Sequence, residues 1–240
     1  MIDVYLLPGI DGTGDLFDPL VACAPDWANP IVSRYDNTRA ASYAELTDAV
    51  VDCIDTARPY LILGESFSGP VAIGAALARP EHLVGLVLSV TFARNPYSAL
   101  ALAPDGLTAA VIRTFLGTDA RKFFLDLGHA SDTLNAAARA AIDQVAAEVV
   151  LDRVRAIRDV DVSTELAAVD APVLYLRATH DRVVPASALA HVRSTRPDVN
   201  VVEIDTSHLL LQTHPEDAWQ AMAALASCRG EDPPPAQPRG

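Results

Sequence analysis

The sequence predicts an α/β fold: a mainly parallel sheet of about six strands, helices on both of its faces, and a helical cap inserted late. Three observations predict it. Short, mostly apolar runs recur at residues 60–63, 83–90 and 172–178, the pattern of strands buried on both faces. Helical stripes alternate with those runs, which is the order of repeated strand–helix units. Between residues 95 and 165 the alternation stops, and about seventy residues pass with helical periodicity alone.

The elements follow in chain order. Residues 2–7 form the first strand and run into Pro8-Gly9-Ile10-Asp11-Gly12-Thr13-Gly14, a loop with three glycines. That loop lacks the Gly-Lys-Ser/Thr ending and the G-x-G-x-x-G spacing of phosphate cradles, so it reads as a loop at the C-terminal edge of a sheet. A short helix is expected over 17–24 and a second strand over 31–35. Ser42-Tyr43-Ala44-Glu45 is a capping box, followed by a stripe of Leu46, Val50, Cys53 and Ile54. Residues 60–78 read as strand, tight turn and helix, and residues 83–90 as the next strand.

Within 95–165 the stripes are Leu107/Val111/Phe115, Phe123/Phe124/Leu127 and Leu134/Ala138/Ile142/Val145, and 149–158 is a helix returning to the main body. A strand over 172–178 leads into Thr179-His180-Asp181-Arg182-Val183-Val184-Pro185. A helix over 186–194, a strand over 199–204 and a helix starting near His214-Pro215 complete the pattern. The expected organisation is a core of residues 1–94 and 166–228, a cap or lid of 95–165, and a disordered Pro-rich tail of 229–240.

Composition narrows the function. A chain of 240 residues, half of them hydrophobic, can bury one substantial core. It has 18 Lys+Arg against 31 Asp+Glu, a net charge of −13, which argues against nucleic acid or an anionic membrane as partner. No apolar run reaches the length of a membrane span, and no secretory signal pattern opens the chain, so a cytoplasmic protein is expected. Cys23, Cys53 and Cys228 are far apart and are expected as reduced, buried thiols. No Cys/His spacing suggests zinc, and no metal or organic cofactor is expected.

The chemistry centres on Gly64-Glu65-Ser66-Phe67-Ser68-Gly69, between the run at 60–63 and the helix. A strand-to-helix turn this tight needs small residues two before and two after its serine, and Gly64 and Ser68 fill those places. A serine hydroxyl needs a base, and the base needs a third group to orient it. In a parallel sheet, residues just past the strands meet at one edge. Ser66, Asp181 and His208 all stand there, after the third, fifth and sixth strands. His82 precedes a strand, His129 and His191 fall in helical stretches, His180 adjoins Asp181, and His214 opens a helix. Asp205 is kept as an alternative acid. Backbone N–H groups of Phe67 and Ile10 are the expected oxyanion donors.

These motifs resemble the α/β-hydrolase superfamily over about residues 1–228: the elbow at 64–69, the acid loop at 179–185 and the base loop at Ser207-His208. The resemblance implies the fold, the Ser66–Asp181–His208 triad and a helical cap at 95–165, on a sheet that starts at what is the superfamily's third strand. Two positions depart from its usual pattern: Ser68 stands where glycine is common, and Pro8 where histidine often precedes the oxyanion glycine. The pairing of PGIDG with GESFSG is similar to small bacterial esterase/lipase-like members and to the hydrolase-like half of plant plastid acyltransferases. The implied activity is a serine hydrolase of a small, apolar acyl ester or thioester. Acyl transfer by the same triad, or a ligand-binding protein on this fold, are the alternatives. Nothing in the residues sets an oligomeric state.

Overall fold

The computed structural model describes residues 1–97 and 131–227. Six strands form one sheet: β1 (Ile2–Leu7), β2 (Ala28–Val32), β3 (Tyr60–Glu65), β4 (Leu83–Ser89), β5 (Val173–Ala178) and β6 (Asn200–Ile204). They run in the order β2-β1-β3-β4-β5-β6, and every pairing is parallel. β3 and β4 are buried along their whole length, as strands covered on both faces must be.

Helices cover both faces. α1 (Asp18–Ala22), α8 (Leu210–Thr213) and α9 (Pro215–Ser227) lie on one side, over Leu6, Leu61, Leu63, Val87 and Leu174. α2 (Tyr43–Cys53), α3 (Gly69–Ala78) and α7 (Ala186–Thr195) lie on the other, over Tyr5, Tyr60, Ile62, Leu86 and Tyr175. The α2 capping box forms as expected: Ser42 accepts from the Glu45 N–H, and Glu45 accepts from the Ser42 N–H.

The second strand sits three residues earlier than expected, at Ala28–Val32 in place of 31–35. It is an edge strand whose limits come from pairing with β1, Ile2 opposite Ala28 through Leu6 opposite Val32. Pro30 masks it in the sequence, but an edge strand tolerates proline because one side of its ladder faces no partner. A second expectation also fails. Cys53 is exposed at the end of α2 and Cys23 is half-buried, so these free thiols are not core residues. The α2 stripe rests on Leu46, Val50 and Ile54.

Between β4 and β5 the described residues form α4 (Asp132–Asp143), α5 (Ala147–Asp159) and α6 (Ser163–Ala168). The stripes at 107–115 and 123–127 and the tail at 229–240 lie outside the described residues, as does Cys228. The third stripe is rotated slightly. Ala138 and Val145 are buried, Leu134 and Ile142 are half-buried, and Asn135 and Ala141 complete the inner face. α4 and α5 are tied to post-strand loops of the sheet: Gln144 donates to Asp15 (3.1 Å), and the Ala146 N–H to the Asn37 carbonyl (3.2 Å). Where this region joins the core its two ends meet, with Asn95 N–H donating to Val160 O (2.9 Å) and Val162 N–H to Ala93 O (2.8 Å).

The strand order opens a crevice at one edge of the sheet. From β1 the chain moves outward to β2, then returns across β1 to β3. Loops leaving β1 and β3 therefore diverge to opposite faces and part at their C-terminal ends. The glycine-rich loop at 8–14 and the turn at 66–68 flank that crevice. Among the described residues no helix is long and apolar enough to cross a membrane, and no group of three or more His, Cys, Asp or Glu side chains is arranged to hold a metal.

Candidate active site

Ser66 follows β3 directly, with φ of 49°, a left-handed conformation that a non-glycine residue adopts at a cost. Two close approaches enforce it. A Cβ on Gly64 would lie 2.5 Å from the Ser68 carbonyl oxygen, and one on Gly69 would run into the Thr91 side chain. The turn is held from outside by hydroxyl groups. Thr91 Oγ1 donates to the Ser66 carbonyl, and Tyr43 OH to the Phe67 carbonyl (3.1 Å). Tyr175 OH in turn fixes the Thr91 carbonyl (2.6 Å).

The three residues expected after strands β3, β5 and β6 meet. His208 Nε2 stands 3.0 Å from Ser66 Oγ, and His208 Nδ1 stands 2.9 Å and 3.1 Å from the two oxygens of Asp181. Asp181 is fixed by its own loop, its Oδ1 accepting from the Val183 and Val184 N–H groups (2.8 and 2.9 Å). A carboxylate facing Nδ1 keeps the proton on that nitrogen and leaves Nε2 free to accept from Ser66. The His208 and Asp181 side chains are only 8% and 7% exposed, so their interaction is poorly screened by water. Burial works against a charged His208. The Asp181 carboxylate, by charge and hydrogen bond, and the nearby Glu65 outweigh it, so the imidazole pKa is raised above 6.5.

The other candidates go elsewhere. Asp205 accepts from Thr179 Oγ1 (3.0 Å) and faces His180 Nε2 (2.8 Å), in an exposed pair away from His208. His82 Nδ1 meets the Thr56 carbonyl (2.6 Å) below the sheet, His191 Nε2 meets Ser163 Oγ (2.7 Å), and His214 Nδ1 meets Thr213 Oγ1 (3.0 Å). His129 lies outside the described residues.

The glycine-rich loop is pinned at three consecutive carbonyls. Ser68 Oγ donates to Pro8 O, Gly12 N–H to Gly9 O (3.0 Å), and Arg153 Nη1 to Ile10 O (2.8 Å). In a trans peptide the C=O and N–H point in opposite directions. Fixing Gly9 O inside the turn therefore turns the Ile10 N–H outward from it. Asp11 closes the loop, its Oδ1 accepting from the Thr13 N–H (3.0 Å) and hydroxyl (2.5 Å).

Several groups at the site were not singled out in the sequence. Tyr35 OH lies 2.6 Å from Ser68 Oγ, and Arg153 packs over the Tyr35 and Phe67 rings. Glu65, buried beside Ser66, accepts from Gln212 Nε2 (2.9 Å), which ties the elbow to α8 just past His208. Burial pushes the Glu65 pKa up to about 7. The Gln212 bond opposes the rise, Asp11 adds to it, and His208 opposes it. Only Ser68, by occupying a glycine position, carried a signal in the sequence; the rest depend on contacts far apart in the chain.

No protein-family model matches the sequence, and no curated protein matches it. Solved structures do resemble this one. An esterase from Exiguobacterium antarcticum superposes with a TM-score of 0.77 at 14% identity, covering 95% of this chain and 92% of its own. A hydrolase from Pseudomonas aeruginosa PA01 gives 0.71 at 22% identity, with 94% and 90% covered. An enol-lactonase from Burkholderia xenovorans LB400 gives 0.72 at 16% identity, with 94% and 91% covered. At such low identity the likeness speaks for architecture alone. Together with the all-parallel six-stranded sheet and the elbow after β3, it identifies the architecture of this chain as the α/β-hydrolase fold.

Proposed function

We propose that this chain is a serine hydrolase that cleaves a small carboxylic ester or thioester through an acyl-enzyme on Ser66. The observation that carries the proposal is the continuous relay from Ser66 Oγ to His208 Nε2 (3.0 Å) and from His208 Nδ1 to Asp181 (2.9 Å). The names of the similar structures, esterase and enol-lactonase among them, favour an ester substrate.

The proposed reaction runs along that relay. Ser66 Oγ attacks the acyl carbon while His208 Nε2 takes its proton. The developing imidazolium is stabilised by Asp181, already held in place by its two backbone donors. The carbonyl oxygen becomes an oxyanion, and the Ile10 and Phe67 N–H groups are assigned to receive it. A positioned donor of this kind contributes about 10²–10³ in rate. His208 then returns its proton to the leaving alcohol or thiol, which departs. Water, deprotonated by the same imidazole, attacks the acyl-enzyme and releases the acid. No step calls for a metal or organic cofactor. The helical region between β4 and β5 is assigned the role of cap, and a cytoplasmic setting is assigned from the sequence.

The test is labelling by a fluorophosphonate, which phosphorylates an activated serine and expels fluoride. The wild-type chain is expected to take one label, located to the peptide containing Ser66, and the Ser66→Ala variant none. A wild-type chain that stays unlabelled would overturn the proposal.

A further inference from the structure

Arg153 is a buried cation at the site that the relay leaves without a role, and its setting is unusual. It sits on α5, is 3% exposed, and makes its hydrogen bonds to neutral acceptors, Ile10 O (2.8 Å), Asn37 Oδ1 (2.9 Å) and Asp36 O (3.4 Å), while the nearby Asp11 and Asp36 carboxylates favour its charge without bonding it directly. Its guanidinium carbon lies 5.9 Å from the centre of the Phe67 ring and 5.8 Å from that of Tyr35. Among the described residues no carboxylate bonds the guanidinium directly, so the cost of burying it is only partly offset and fold stability is a weak reason for this arrangement. What a planar, always-charged fork supplies is direction, because its donors are rigidly spaced. Among the residues it contacts are Ile10 and Phe67, the pair assigned as oxyanion donors.

We propose that Arg153 is a positioning residue for the oxyanion hole, holding the β1 loop and the elbow at the separation the tetrahedral intermediate needs. This inference rests on the serine hydrolase reading. Arg153 touches no reacting atom. It acts through the Ile10 carbonyl on one side and the face of Phe67 on the other, while Asn37 and Tyr35 keep the guanidinium from swinging away. Because it comes from α5, it also makes oxyanion stabilisation depend on how the region between β4 and β5 is seated on the sheet.

The experiment compares wild type, Arg153→Met and Arg153→Lys. The readouts are kcat and KM for p-nitrophenyl butyrate and the inhibition constant of phenylboronic acid. In the boronic acid complex the serine oxygen adds to trigonal boron and its proton passes to His208, giving a tetrahedral adduct. For Arg153→Met, kcat should fall about 10- to 100-fold and the boronic acid should bind weaker by a similar factor, with KM within about threefold. Arg153→Lys should recover part of both losses, since lysine keeps the charge without the fork. Unchanged boronic acid affinity in a folded Arg153→Met chain, or wild-type values in Arg153→Lys, would overturn the proposal.

Should Arg153→Met not fold, Asn37→Ala decides, since it frees one arm of the guanidinium in place. A loss of boronic acid affinity of about threefold or more with KM preserved supports the role, and unchanged affinity overturns it. Fluorophosphonate labelling separates the two levels. A wild-type chain that takes no label removes the nucleophile and this inference together. Normal labelling with unaltered boronic acid affinity in the Arg153 variants removes only the inference.

Discussion

Ser68 Oγ donates to the Pro8 carbonyl, and the same oxygen lies 2.6 Å from Tyr35 OH. The two positions that depart from the usual α/β-hydrolase pattern are thus joined by one hydrogen bond across the crevice. The hydroxyl of Ser68 locks the start of the β1 loop to the elbow, a tie that glycine at position 68 does not provide. Replacing Ser68 with Ala or Gly leaves the Pro8 carbonyl and the Tyr35 hydroxyl without this partner, and an unmet buried polar group costs about 1–3 kcal/mol. Urea denaturation should show a midpoint lowered accordingly, together with a fall in kcat for p-nitrophenyl butyrate. An unchanged midpoint in both variants would show that the tie contributes nothing.

Under the proposed mechanism, the raised pKa of His208 should set the pH dependence of turnover. Only the neutral imidazole can take the Ser66 proton, so kcat/KM should rise with pH through an apparent pKa above 6.5. Asp181→Asn removes the carboxylate that favours the charged imidazole and fixes its tautomer, so the apparent pKa should fall and kcat should drop by two to four orders of magnitude, roughly as in other triads. Asp205→Asn, at the carboxylate that faces His180, should leave the rate within about twofold. A large loss in Asp205→Asn with little in Asp181→Asn would reverse the assignment of the acid.

Under the proposed mechanism, Glu65 and His208 should make stability and activity oppose each other along the pH axis. Burial raises Glu65 from the ordinary 4.5 to about 7, so the folded chain binds more protons than the unfolded chain between those values. Stability therefore falls as pH rises through that window. His208, also raised, adds stability that is present below 6.5 and is lost as pH climbs through its folded pKa. The Glu65→Gln variant keeps a partner for Gln212 but no longer titrates. It should flatten the slope between about pH 4.5 and 7 and gain on the order of 3 kcal/mol over wild type at pH 8. Chemical denaturation across that pH range checks it; parallel slopes in the two proteins would refute the role of Glu65.

The sequence showed most where local chemistry and global topology agree. The elbow was legible because an apolar strand, a small residue on each side of Ser66 and a helical run stand within nineteen residues, 60–78. The meeting of Ser66, Asp181 and His208 was legible because a parallel sheet sends every strand end to one edge. β2 was misplaced because an edge strand takes its limits from pairing with β1, and Pro30 hides it from any apolar pattern. Cys53 fell on the α2 stripe, yet it ends the helix with its thiol exposed while Ile54 beside it is buried. Arg153 could not have been picked out, since an arginine in an amphipathic helix reads as a solvated face. Its burial comes from Ile10 and Asn37, 143 and 116 residues away.

The central claim is that Ser66 is the nucleophile, and the turnover of Ser66→Ala tests it most directly. Measured on p-nitrophenyl butyrate against wild type at equal folded concentration, kcat should fall by about 10⁴ or more. Turnover retained within tenfold of wild type would contradict the account.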